Sequence, residues 1–106
     1  MNDGEIFNQL VDLQQNGIAS CLATIIRTAG STPREIGAKM LICLDGTTYG
    51  SIGGGCGERQ LQSAAIRCLL KDKKPEILDI DLTVDLNVKG GDVCGGNLSV
   101  FVEPFF

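Results

Sequence analysis

The sequence predicts an α/β sandwich of two or three layers, built from a mixed β-sheet and two main helices. Three observations predict it. Runs rich in β-branched and aliphatic residues recur at 18–28, 38–44, 76–83 and 97–105. Two other segments, near the N-terminus and in the middle of the chain, repeat apolar residues at helical spacing. The 106 residues are 43% apolar, enough for one ordinary core and too few for two domains.

The elements follow in order. Asn2 or Asp3 caps a first helix, with Glu5 in capping-box register to Asn2. Ile6, Phe7, Leu10, Val11 and Leu13 form its apolar face, and Asn16-Gly17 stops it. IASCLATIIRT (18–28) reads as a long strand buried on both faces, because most of its positions are apolar. AGSTPREIG (29–37) is a loop punctuated by Gly30, Pro33 and Gly37. AKMLICL (38–44) is a second strand, and Asp45-Gly46 turns the chain into TTYGSIG, a third. After a glycine run, Leu61, Ala64, Ala65, Cys68 and Leu69 mark a second amphipathic helix. Lys71, Lys73, Lys74 and Pro75 close it at the negative end of its dipole. EILDIDLT (76–83) alternates as a half-exposed strand does. Residues 84–96 are irregular, and NLSVFVEPF (97–105) is a last strand ended by Pro104. The closing Phe105 and Phe106 look exposed, which suggests a homodimer or a docking surface.

Composition removes several function classes. The net charge of −4, with acids and bases interspersed, argues against nucleic acid, whose phosphates call for a basic patch. No apolar run reaches the length of a membrane span, and MNDGEIFNQL has no signal-peptide pattern, so a cytoplasmic protein is expected. Histidine is absent, which removes Ser-His-Asp and Cys-His pairs and imidazole proton shuttles. The five cysteines contain no CxxC, so neither zinc-site spacing nor a disulfide framework is indicated. The balance tilts from enzyme toward binding.

Two loops concentrate the chemistry. GSIGGGCGE (50–58) places Gly53, Gly54 and Gly55, then Cys56, where a helix is about to begin. Main-chain N–H groups and the helix dipole can there receive an anion, and the missing Cβ atoms let it approach. The spacing is neither GxGxxG nor GK[ST], so no nucleotide fingerprint is present. A helix N-terminus also favours a thiolate, which makes Cys56 a candidate nucleophile or soft metal ligand; an isolated cysteine is more often a small buried hydrophobe. Glu58, in the first turn, is a helix cap or a contact to a ligand's hydrogen-bond donor. GSTPRE (30–35) offers the hydroxyls of Ser31 and Thr32 and the planar fork of Arg34, stiffened by Pro33. Lys39 adds charge nearby. Cys94 and Gly95 sit in CGG (94–96), a near mirror of the first glycine run. Cys21, Cys43 and Cys68 fall at core positions.

GSTPREIGAKMLI (30–42), GSIGGGCGE (50–58) and CGGNLSVFVEP (94–104), in that order, resemble the N-terminal domain of the XdhC/CoxI family of molybdenum hydroxylase accessory proteins. Thr32 and Glu35-Ile36 depart from the commoner residues there, while Pro33, Arg34 and Gly37 remain. The resemblance implies a chaperone, not a catalyst. Such a protein binds molybdenum cofactor (molybdopterin) as cargo for a xanthine dehydrogenase- or carbon monoxide dehydrogenase-type hydroxylase, with a cofactor sulfurase as second partner. It implies contacts from Ser31, Thr32, Arg34, Gly53, Gly54, Gly55, Cys56, Glu58, Cys94 and Gly95, with Cys56 as metal contact. Longer family members continue into a Rossmann-type domain. Residues 1–106 are expected to be the N-terminal domain alone, with any Rossmann domain on a separate chain. Two other readings stay open: a small thiol enzyme or sulfur carrier using Cys56, and an interaction module bridging hydroxylase and maturation enzyme.

Overall fold

The computed structural model describes residues 1–53, 55–82 and 96–106, with Gly55 and Cys56 described by their helical main chain. The order is α1 (Asp3–Gln15), β1 (Ser20–Ala29), β2 (Lys39–Cys43), β3 (Thr48–Gly50), α2 (Gly55–Arg67), a π-helical turn (Cys68–Asp72), β4 (Glu76–Asp81) and β5 (Asn97–Phe105). Helix, three strands, helix and two strands is the expected succession. No helix among the described residues is long and apolar enough to cross a membrane.

Local signals account for most element ends. Asn2 Oδ1 accepts from Glu5 N–H at 2.9 Å while Glu5 Oε1 accepts from Asn2 N–H at 3.1 Å, a complete capping box. Gly17, at φ +69, turns the chain out of α1. Asp45 Oδ1 accepts from Thr47 N–H at 2.9 Å, which holds the β2–β3 turn and keeps the Asp45 carboxyl below its ordinary range.

The sheet is a correction to the mixed sheet expected. The strand order is β3-β2-β1-β5-β4, and all four pairings are antiparallel. β3 and β4, which α2 joins, do run the same way, but they stand at opposite edges with three strands between them. A strand–helix–strand run reads as a parallel crossover only when its strands become neighbours. β5 also runs through Pro104, which lies opposite Cys21 of β1. β4 begins opposite Val102, so β5 has one neighbour there, where a missing N–H is tolerated.

The helices lie on opposite faces, giving three layers. Toward α2, the sheet presents Cys21, Ala23, Ile25, Met40, Ile42, Ile80, Leu98, Val100 and Val102, packed against Leu61, Ala65, Cys68 and Leu69. Toward α1 it presents Leu22, Leu41 and Cys43, packed against Ile6, Leu10 and Leu13. β1 therefore serves both cores, as its nearly continuous apolar run predicts. Phe7 and Val11 depart from the expected face of α1 and are about half exposed. The expected pair of exposed terminal phenylalanines is also halved. Phe105 packs against the α1 core, and Phe106 stays exposed.

Candidate functional site

One end of the sheet gathers the loops singled out above. The antiparallel order brings together the end of β1, the start of β2, the end of β3 and the start of α2. The end of β4 and the start of β5 close the same end.

Two glycines show how closely the segments approach. Gly53 has φ +115, and a Cβ there would run into Pro33 Cγ and lie 2.7 Å from Pro33 Cβ. Residue 53 must therefore be glycine, both for its backbone conformation and because the Pro33 ring occupies the space of its side chain. Gly96 is buried, and a Cβ on it would collide with Ser31 O and lie 2.7 Å from Ala29 O. The 30–33 loop thus sits between the glycine run and the last residue of CGG.

The start of α2 is fixed by a short relay. Ser51 Oγ donates to Glu58 Oε2 at 2.6 Å and accepts from Gly53 N–H at 3.0 Å. The Glu58 carboxylate, half buried, thus binds its own loop. This ties the main chain at 51–53 to the first turn of the helix. Gly57 packs with a hypothetical Cβ 3.0 Å from Leu82 Cδ2, so α2 begins hard against the end of β4.

In the other loop, Thr32 Oγ1 donates to Arg34 O at 3.1 Å, so its proton serves the loop's own shape. Ser31 and Arg34 are exposed. Arg34 lines a groove of about 570 Å³ between the 33–39 segment and Met1, Asn2 and Asp3. Lys39 does not supply the free charge expected of it. Its Nζ lies 3.2 Å from Asp3 Oδ2, donates to Gly37 O at 3.0 Å and stands 6.0 Å from the centre of the Phe7 ring. It fastens the loop to α1.

Of the ten residues named from the sequence, Ser31, Thr32, Arg34, Gly53 and Glu58 are brought to this end, with the Gly55 and Cys56 main chain opening α2. The Cys56 side chain, Gly54, Cys94 and Gly95 lie outside the described residues. The three core cysteines are buried free thiols, as expected. Burial, with Cys68 alongside, pushes the Cys21 thiol up to about 12, and burial raises Cys43 as well. Neither can act as a thiolate near neutral pH. Sequence reading passed over Ser51 and the tether made by Lys39. Ser51 precedes Glu58 by seven residues and Lys39 follows Asp3 by 36, and no local pattern marks either pairing.

Comparison with known proteins decides the family. The model of the XdhC and CoxI family matches residues 13–81, about two thirds of the chain. The chain belongs to the XdhC and CoxI family. It is 33% identical over 98 residues to the uncharacterized protein YqeB of Escherichia coli (strain K12), covering 92% of this chain and 18% of that protein. Its fold matches the crystal structure of a Bacillus halodurans protein described as a xanthine dehydrogenase, with a TM-score of 0.75 and 35% identity. That match covers 92% of this chain and 29% of the Bacillus chain. The chain therefore spans less than a third of either relative. The matched XdhC and CoxI region contains both 30–42 and 50–58, the two segments that meet at Pro33 and Gly53.

Proposed function

We propose that this XdhC/CoxI-family chain binds molybdenum cofactor as cargo and serves the maturation of a molybdenum hydroxylase of the xanthine dehydrogenase or carbon monoxide dehydrogenase type. It acts as a carrier and not as a catalyst, with the hydroxylase and a cofactor sulfurase as partners. The observation that carries the reading is the convergence of the two family-matched loops, Pro33 against Gly53, with Gly96, beyond the matched region, packed on Ser31. A helix start with glycine main chain suits the cofactor's phosphate, and the exposed Arg34 fork suits its anionic or hydrogen-bonding groups. We assign the contact to metal or sulfur to Cys56, because its main chain belongs to the first turn of α2, where a helix dipole favours a thiolate. Ser51 and Glu58 shape that turn and hold the loop in place.

The test is binding of cofactor released from a purified molybdoenzyme, followed by co-elution and by molybdenum content. Arg34→Gln removes a charge-assisted contact of about 1.5–3 kcal/mol and should weaken binding about tenfold or more. Cys56→Ala should lower retention comparably while leaving the melting temperature unchanged. Wild-type retention in both variants would overturn the site, and no retention by the wild type would overturn the function.

A further inference from the structure

The far end of α2 carries a surface that the proposed cofactor site does not use. Residues 67–74, RCLLKDKK, hold four of the chain's nine cations and one acid, in a chain of net charge −4. Arg67 lies 3.8 Å from Asp72 Oδ2 and 3.7 Å from Glu76 Oε1, so the neighbouring acids are matched with it. Lys71, Lys73 and Lys74 are exposed, and among the described residues their ammonium groups make no ion pair.

Two further features set this turn apart. The chain leaves α-helical geometry for a π turn over Cys68–Asp72, closed by Lys73 N–H donating to Cys68 O at 2.7 Å. Turns of this kind recur at functional sites, and here Leu70 is left 59% exposed beside the lysines. Lys73 itself has φ +53, the one non-glycine residue with positive φ among those described. Glycine is the usual residue just past a helix in this conformation. A lysine held there gives up stability for a charged side chain, the pattern expected of a residue kept for what it binds.

We propose that this turn docks an acidic segment of a partner protein, whose carboxylates meet Lys71, Lys73 and Lys74 while an apolar side chain covers Leu70. Charge complementarity selects the partner: outside 67–74 acids outnumber cations, so this turn is the densest run of cations that an acidic segment meets. Three lysines and one leucine give too little insertion for a membrane anchor, and the negative remainder opposes an anionic surface. The turn begins about 20 Å along α2 from the helix start in the loop cluster, at 1.5 Å per residue, so a partner held here leaves that cluster uncovered. This inference does not depend on the identity of the cargo.

The test uses the full chain, isotope-labelled, titrated with a short synthetic peptide of glutamates around one leucine and followed by amide chemical shifts. Anionic phospholipid vesicles and an oligothymidylate are titrated in parallel. Peptide-induced shifts should cluster at 67–76 and fade as salt rises. Replacing Lys71 and Lys74 together by glutamine should weaken binding about fivefold, at the usual worth of exposed charge pairs. Lys73→Gly should weaken it about twofold to threefold while the melting temperature stays equal or rises, a combination that a structural role cannot produce. Arg27→Gln, which removes a cation elsewhere, should leave peptide affinity unchanged. The proposal is overturned by shifts spread over the surface or by tighter binding of vesicles or oligonucleotide. It is equally overturned by concentration-dependent shifts without peptide, which would make the occupant a second copy, or by undiminished binding in Lys73→Gly.

Discussion

Gly53→Ala tests the contact on which the loop cluster depends. Two terms add. A β-carbon at φ +115 costs about 1–3 kcal/mol, because L side chains rarely adopt that conformation. The same atom meets the Pro33 ring, 2.7 Å from its Cβ and nearer still to its Cγ, so the proline loop must retreat by about an ångström. Forced repacking of that kind costs about 1–3 kcal/mol. The sum, about 2–5 kcal/mol, lowers the melting temperature of a domain this size by roughly 10–20 °C. Calorimetry and urea unfolding measure it directly. A Pro33→Gly background separates the terms: with the ring gone, Gly53→Ala should cost about 1–3 kcal/mol, the backbone term alone. A Gly53→Ala variant within about 0.5 kcal/mol of wild type, or the same cost with and without the Pro33 ring, would refute the contact.

Three more outcomes are expected. Asn2→Ala removes the capping box of α1 and should lower urea-derived stability by about 1 kcal/mol at constant m-value. Ser51→Ala leaves Gly53 N–H and the Glu58 carboxylate without their shared partner; it should cost about 1–3 kcal/mol and raise amide exchange at 51–58. The raised Cys21 thiol fixes the sign of an alkaline effect. The unfolded chain loses that proton near pH 9.0, whereas the folded protein keeps it to about 12. Stability is therefore whole below pH 9 and falls as pH climbs from there toward 12. Urea titrations from pH 8 to about 10.5 should show the decline, and Cys21→Ala should flatten it.

What the sequence displayed was local. The capping box at Asn2 and Glu5, the five core positions of α2 and the π turn that follows it, and the turn at Asp45-Gly46 involve residues within a few positions of one another, where spacing translates directly into geometry. The sheet order was not legible, because β1 pairs with β5 across the length of the chain, Cys21 opposite Pro104. Phe7 and Val11 stay half exposed for a related reason. An apolar stripe shows which residues can be buried, but the width of the sheet beneath α1 decides how many are, and that helix packs on Leu22, Leu41 and Cys43 with Tyr49 and Phe105 at the margin. The loops could be named from their glycine, proline and arginine content. That Pro33 rests on Gly53, and that Lys39 is neutralised by Asp3, depends on chain paths that the residues alone do not draw.

The unequal sharing of apolar side chains between the two faces sets the order in which the protein comes apart. α1 holds its place through Ile6, Leu10 and Leu13 and one ammonium–carboxylate link, whereas α2 is embedded in the larger cluster. The cheapest excursion from the native state is therefore a lifting of the first helix, with the sheet and α2 intact. Because Lys39 fastens that helix to the carbonyl of Gly37, each such event slackens the loop that carries Arg34. Breathing at the N-terminus is thereby transmitted to the loop cluster, and a partner that clamps α1 would stiffen it from a distance.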